Sequence, residues 1–123
     1  MNIRPRINRW TISRRDMIFS PDIKSSLVQP HFVVSGEGIN EAIESMPGIF
    51  RQSVDVLCQT IAEDMALGIK SHMLFAVVDS HDKDSTASKA SNPDMPLQVA
   101  VAKLKQQYGA ELVIMTDVCL CTA

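Results

Sequence analysis

Three continuous apolar runs along the chain predict buried β-strands. Each has the length of a strand rather than a helix, and glycines or polar residues flank it; the runs are Ser25–Val34, His72–Val78 and Glu111–Cys121. Pro30 fits the first strand poorly, because proline suits the start of a strand or a bulge better than its middle. Strands that are apolar on both faces are typical of a parallel sheet covered by helices.

Two segments between these runs have helical spacing. After a turn at Ser45–Gly48, apolar residues recur every three or four positions behind Ser53, which predicts a helix that begins at this N-cap and ends at Gly68. A second helix is predicted from about Leu97 to Tyr108, where Gly109 ends it. A polar loop of sixteen residues, 79 to 94, precedes the second helix. Loops of this length are usually functional or mobile.

The predicted order is an N-terminal arm followed by β, α, β, α and β. A doubly wound sheet and an eight-stranded (β/α) barrel both begin in this way, and both carry their chemistry at the carboxyl ends of the strands. Asp117, Cys119 and Cys121 lie at the end of the third strand, and the loop 79–94 leaves the end of the second. We therefore expect these residues on one face of the sheet.

Cys119 and Cys121 predict part of a metal site. Alternate residues of an extended strand face the same side, so both thiols would be presented to one ion. Structural zinc has four ligands and catalytic zinc has three plus an open position. Since the sequence ends at Ala123, the remaining ligands are expected elsewhere.

Charge and composition narrow the function classes. The net charge is −2, but five of the six arginines, Arg4, Arg6, Arg9, Arg14 and Arg15, form a basic arm at the N-terminus. The arm could be a solvated tail, an organelle address, a subunit contact or a nucleic-acid contact; the last is the weakest, since the chain has one Trp and one Tyr. No signal peptide or membrane span is recognisable. Without a signal peptide, the three cysteines favour a reducing compartment. We expect the cytoplasm, with the interior of an organelle as the alternative.

Several motifs occur together along the chain. They are RPR at Arg4–Arg6, LVQPHFVV at Leu27–Val34, SMPGIFR at Ser45–Arg51 with Ser53 and Asp55, LF and VV within Leu74–Val78, Lys83-Asp84, Ser88, Ala90, NPD at Asn92–Asp94 with Gln98, and TDVCLC at Thr116–Cys121. In this order and register they resemble the porphobilinogen synthase family, also called delta-aminolevulinic acid dehydratase. Two departures stand out. Ala87 occupies a position where the family usually has glycine, and Met95-Pro96 replace a glycine and an apolar residue.

The resemblance implies an α/β fold: residues 1–24 as the basic arm, and residues 25–123 as the first three strands and two helices of a (β/α)8 TIM barrel, truncated after the third strand. It implies condensation of two 5-aminolevulinate molecules to porphobilinogen in tetrapyrrole synthesis. Cys119 and Cys121 would be two of the three cysteine ligands of zinc, and Asp117 would lie beside them in the active site. The resemblance places no catalytic residue in this chain. Zinc would act on the substrate as a Lewis acid.

The same resemblance predicts that the third zinc ligand and the Schiff-base lysines lie outside these 123 residues, so the chain alone would be inactive. It also implies a homo-oligomer of the octamer type, joined through the arm, with no nucleic acid or membrane partner. Two alternatives remain open. One is a small binding module that joins an oligomer or binds metal without catalysis, and the other is a complete small doubly wound metal-binding protein.

Overall fold

The computed structural model describes residues 6–19 and 21–119 and contains one five-stranded sheet. The strands are β1 (Val28–Val34), β2 (Asn40–Ala42), β3 (Phe50–Ser53), β4 (Ser71–Ala76) and β5 (Val113–Thr116). Their spatial order is β2-β3-β1-β4-β5, in which β3, β1, β4 and β5 run parallel and β2 is antiparallel to β3. The chain is therefore a mixed α/β structure built on parallel strands.

In the described part of the chain, four α-helices accompany the sheet: α1 (Ile12–Phe19), α2 (Ile23–Ser26), α3 (Val54–Ala66) and α4 (Pro96–Tyr108). The two predicted helices, α3 and α4, are confirmed. Ser53 precedes α3 at the N-cap position, and the C-cap of α4 is Gly109 at a φ of 55°. Among these described helices, none has the length and apolar character needed to span a membrane.

The predicted strands are present with shorter bounds. The first begins at Val28 rather than Ser25, because Asp22 caps the short helix α2 by accepting a hydrogen bond from Lys24 N at 3.2 Å. The last ends at Thr116, so the prediction of a strand up to Cys121 is wrong over residues 117–119. Cys121 lies outside the described residues.

The sequence did not predict β2 and β3. They form an antiparallel pair joined by a turn in which Ile43 N donates to Ile49 O at 2.9 Å. The Ser53 hydroxyl accepts from Ile39 N at 2.9 Å and donates to Asp55, whose other carboxylate oxygen accepts from Gly38 N at 2.9 Å. These bonds fix the loop after β1 to the start of α3.

The core lies between the sheet and the helices α3 and α4. Its fully or almost fully buried members are Val33, Leu57, Ile61, Leu74, Ala100, Leu104 and Leu112. The opposite face of the sheet carries Phe32 and Phe75, which are paired in register on β1 and β4 and stack with their ring centroids 5.5 Å apart. Helices thus cover one face of the sheet, and an aromatic pair lies on the other.

The N-terminal arm contains helix α1, which the sequence analysis did not predict. Ser13 is buried, and its hydroxyl lies 2.8 Å from both the Ala110 and Glu111 carbonyl oxygens. The arm is therefore attached to the turn before β5. Nothing tests the division of the chain at residue 24, which stays a prediction.

Candidate functional site

A cavity of about 530 Å³ opens at the carboxyl ends of β1, β4 and β5. Phe32 and Phe75 line its apolar wall, and Asp117 and Cys119 line it after β5. The loop 79–94 contributes Lys83, among other residues. The expectation that the strand ends and the long loop lie on one side is confirmed for Asp117, Cys119 and the loop, whereas Cys121 lies outside the described residues.

Asp117 and Cys119 are placed at the cavity by the end of β5. Asp117 is exposed, Cys119 is partly buried, and Cys119 takes part in a disulfide bond. A disulfide sulfur does not serve as a thiolate ligand, so Cys119 can bind zinc only after reduction. A reduced Cys119 thiolate beside a carboxylate would fit zinc, which accepts both sulfur and oxygen ligands. The predicted assignment of Cys119 and Cys121 as zinc ligands remains a prediction.

Asp84 organises the loop that covers the cavity. Its Oδ1 accepts hydrogen bonds from Thr86 N and Ser88 N, both at 3.0 Å, and its Oδ2 accepts from the Ser88 hydroxyl. The hydrogen bond from the Ser88 side chain, and secondarily that from its backbone, lowers the pKa of Asp84 to about 2. The carboxylate therefore stays ionised and holds the turn at neutral pH.

Ala87 adopts the left-handed conformation, with φ of 51° and ψ of 40°. Within the part of the chain that the structure describes, it is the one non-glycine residue with positive φ. A side chain in this region costs roughly 1–2 kcal/mol relative to glycine. Ala87 therefore has a backbone conformation in which glycine, the residue usual in the family at this position, would be less strained.

Charged side chains of the loop pair with one another. Lys89 Nζ lies 3.7 Å from Asp82 Oδ1, and His81 Nε2 lies 3.5 Å from Asp82 Oδ2. Lys89 lines the cavity, whereas His81 does not and is 77% exposed. A role for His81 in a metal site with the cysteines is not supported by this placement.

A second group of titratable residues is buried between the sheet and α3. His31 on β1, His72 on β4 and Asp64 on α3 bring His31 Nε2 within 3.0 Å of His72 Nδ1 and 3.6 Å of Asp64 Oδ2. Burial, and secondarily the neighbouring His72 ring, lowers the pKa of His31 to about 4. Burial also lowers the pKa of His72 and raises that of Asp64.

The amino-acid sequence alone does not predict this group. No spacing motif joins His31, Asp64 and His72, and the only signal was a histidine inside each of two apolar runs. Their proximity depends on the strand register, which aligns His31 with Leu74 and so places His72 on the same face two residues earlier.

Comparisons with known proteins identify the family. The family model described as delta-aminolevulinic acid dehydratase matches residues 2–123. Curated relatives of that name include those of Chlamydia pneumoniae, 34% identical over 118 residues, and Mycobacterium tuberculosis, 36% identical over 118 residues; each match covers 95% of this chain and 35% or 36% of the relative.

A solved structure gives the same result. The match is the crystal structure of delta-aminolevulinic acid dehydratase (porphobilinogen synthase) from Toxoplasma gondii ME49, in complex with the reaction product porphobilinogen. The superposition covers 98% of this chain and 34% of the Toxoplasma chain, with a TM-score of 0.74 and 35% sequence identity. The chain thus spans about a third of the length of the relatives it matches. By its family model, relatives and fold, the chain belongs to the delta-aminolevulinic acid dehydratase family.

Proposed function

We propose that this chain contributes part of the active site of a porphobilinogen synthase, which condenses two 5-aminolevulinate molecules with loss of water. The observation that carries the proposal is the cavity at the strand ends, lined by Asp117, Cys119 and the loop 79–94. Family membership supplies the reaction, and the cavity supplies a place for it. The chain spans about a third of its relatives, so the activity is proposed for the assembled site.

We further propose that β1, β4 and β5 are the first three strands of a (β/α)8 barrel. They are neighbours in the sheet, run parallel, and follow one another through the helices α3 and α4. Sites in such barrels are built at the carboxyl ends of the strands, which is where the cavity lies. Phe32 and Phe75 would then face the barrel interior.

The side chains of the cavity suit an amino-keto acid substrate. The apolar wall at Phe32 and Phe75 excludes water, and the Asp117 carboxylate can accept a hydrogen bond from a substrate ammonium group. Reduced Cys119 would hold zinc together with Cys121, and bound zinc would polarise a substrate oxygen. We also propose a cytoplasmic location, a reducing compartment in which Cys119 would be a free thiol.

A chimera tests this function. Joining this chain to the remaining two thirds of the Mycobacterium tuberculosis relative should give a protein that forms porphobilinogen from 5-aminolevulinate under reducing conditions with zinc. Asp117→Asn and Cys119→Ser should each lower the rate on the order of 100-fold, equivalent to about 2.7 kcal/mol of transition-state stabilisation. His81→Ala, which alters an exposed loop residue outside the cavity, is the matched control and should leave the rate unchanged.

Two results would contradict the proposed function. A chimera that has the helix content of the relative but makes no porphobilinogen would contradict it. So would an active chimera in which Asp117→Asn and Cys119→Ser turn over as fast as the parent.

A second observation favours self-association through the arm. Large apolar side chains are exposed throughout residues 7–28, including Trp10 at 71%, Ile12 at 68% and Ile23 at 74%. The Arg14 guanidinium lies 5.7 Å from the centre of the Trp10 ring, which leaves a mixed apolar and cationic surface. We propose that a second copy of the chain covers this surface. A non-catalytic module that joins an oligomer would use the same contact.

Sedimentation velocity tests the arm. The parent chain should sediment as an oligomer, and Trp10→Ser/Ile12→Ser should shift it toward the monomer, since about 1.5–3 kcal/mol of burial is lost for each large apolar side chain. Leu67→Ser is the control, because Leu67 is 64% exposed but lies outside the arm. A monomeric parent, or an equal shift with the control, would contradict an interface at the arm.

A further inference from the structure

The buried group His31, Asp64 and His72 has the dimensions of a metal site. Its three potential ligand atoms are separated by 3.0 Å between His31 Nε2 and His72 Nδ1, 3.6 Å between His31 Nε2 and Asp64 Oδ2, and 4.0 Å between His72 Nδ1 and Asp64 Oδ2. Tetrahedral zinc with bonds of 2.0–2.1 Å places its ligand atoms about 3.3 Å apart. Adjustments of well under an ångström would bring all three atoms to bonding distance.

The neighbouring hydrogen bonds orient the ligands for a cation. His72 Nε2 lies 3.2 Å from the Ile69 carbonyl oxygen, to which it can donate only when it carries the proton. This tautomer leaves the Nδ1 lone pair directed into the group. Metal-bound histidines are typically held by such a bond from their other nitrogen.

Asp64 supplies an independent observation. Its Oδ2 is buried and has no hydrogen-bond partner, although it lies 3.6 Å from His31 Nε2 and 4.0 Å from His72 Nδ1. A hydrogen bond between the histidines accounts for their own contact but leaves this acceptor unsatisfied, which is costly in a protein interior. A cation would satisfy it.

We propose that His31, Asp64 and His72 bind a divalent transition-metal ion, for which zinc is the best fit. Two imidazole nitrogens and one carboxylate oxygen favour zinc over magnesium or calcium, which prefer oxygen ligands. Asp64 is 18% exposed, so water can complete the coordination from the solvent side. None of the three residues lines the cavity at the strand ends, so this site is separate from that of Cys119.

The consequence of such a site is a structural link. The ligands come from β1, α3 and β4, so one ion would tie the helix to two strands of the sheet. The group lies between the sheet and α3, where His72 is near the amino end of β4. Zinc should therefore raise the thermal midpoint of unfolding without occupying the cavity.

Zinc titration in a chain that lacks the two strand-end cysteines tests the site; Cys58, a free thiol on α3, is retained. The full chain carrying Cys119→Ser/Cys121→Ser should still bind about one zinc ion against a competing chelator, and zinc should raise its thermal midpoint. Adding His31→Gln or Asp64→Asn should weaken binding at least tenfold and abolish the midpoint shift. His81→Gln, the remaining histidine, is the matched control and should retain both effects.

Cobalt provides a second readout, because its visible absorption should indicate tetrahedral nitrogen and oxygen ligands, without sulfur, in the chain that lacks Cys119 and Cys121. Asp64→Asn preserves the size of the side chain, and circular dichroism checks its fold. Absence of binding in the chain that lacks Cys119 and Cys121 would overturn the proposal, as would unchanged affinity in folded Asp64→Asn or cobalt absorption typical of a thiolate ligand. Loss of binding in His81→Gln would instead place the ion at the exposed loop group Asp79, His81 and Asp82.

Discussion

Replacing Leu74 with alanine is expected to lower the free energy of unfolding by about 3–5 kcal/mol. Leu74 is fully buried in the middle of β4, where β1 lies on one side and β5 on the other. Its side chain belongs to the core that α3 and α4 form against the sheet. Large-to-small changes at such positions lose burial and leave a cavity, because neighbours packed on every side collapse only partly.

Urea unfolding followed by circular dichroism measures this loss. Since whole domains are stable by about 5–15 kcal/mol, the variant should lose a large part of its stability. Leu67→Ala is the matched control, because the same atoms are removed from a side chain that is 64% exposed after α3. Its effect should stay within about 0.5 kcal/mol, and equal losses at the two positions would contradict the assignment of the core.

The elements predicted from sequence were those with a strong local signal. A continuous apolar run identified β4, and helical spacing between Ser53 and Gly68 identified α3. β2 and β3 have only three and four residues, and all of β2 is exposed, so neither carries a recognisable period. Their position depends on pairing with β1 and on the bonds of Ser53 and Asp55, which are tertiary contacts.

The residues of the candidate sites likewise fall into those that the sequence predicted and those that it did not. Asp117 and the loop 79–94 could be placed on one face from sequence, because parallel strands end at a common edge of the sheet. β5 ends at Thr116, so Cys119 lies beyond the strand and strand alternation does not orient it; Cys121 lies outside the described residues. The group around His31 required the register of β1 with β4 and the position of α3, neither of which a single sequence determines.

The 123-residue chain by itself is expected to form no porphobilinogen. Imine formation with a keto substrate requires a neutral lysine amine, and an ordinary lysine with a pKa near 10.4 is less than about 0.1% neutral at pH 7. A catalytic lysine must therefore combine a lowered pKa with a place in the cavity. All six lysines of the chain lie within the described residues, and two of them, Lys83 and Lys89, line the cavity.

Lys105 is a partly buried lysine that does not line the cavity. Burial, and secondarily Arg14, lowers the pKa of Lys105, and its Nζ is hydrogen-bonded to the Leu112 carbonyl oxygen at 2.5 Å. Lys89 lines the cavity, and its Nζ lies 3.7 Å from Asp82 Oδ1. Lys83 lines it from the polar loop rather than from a strand end.

The assay incubates the reduced chain with 5-aminolevulinate and zinc and measures porphobilinogen colorimetrically. Product should stay at the level of a heat-denatured sample, whereas the complete Mycobacterium tuberculosis relative serves as the positive control. Borohydride reduction in the presence of substrate should attach no substrate to the chain, because the two lysines that line the cavity, Lys83 and Lys89, come from the polar loop rather than from a strand end. Turnover above background, or a covalent adduct mapped to Lys83 or Lys89, would show that these 123 residues already contain the imine-forming group.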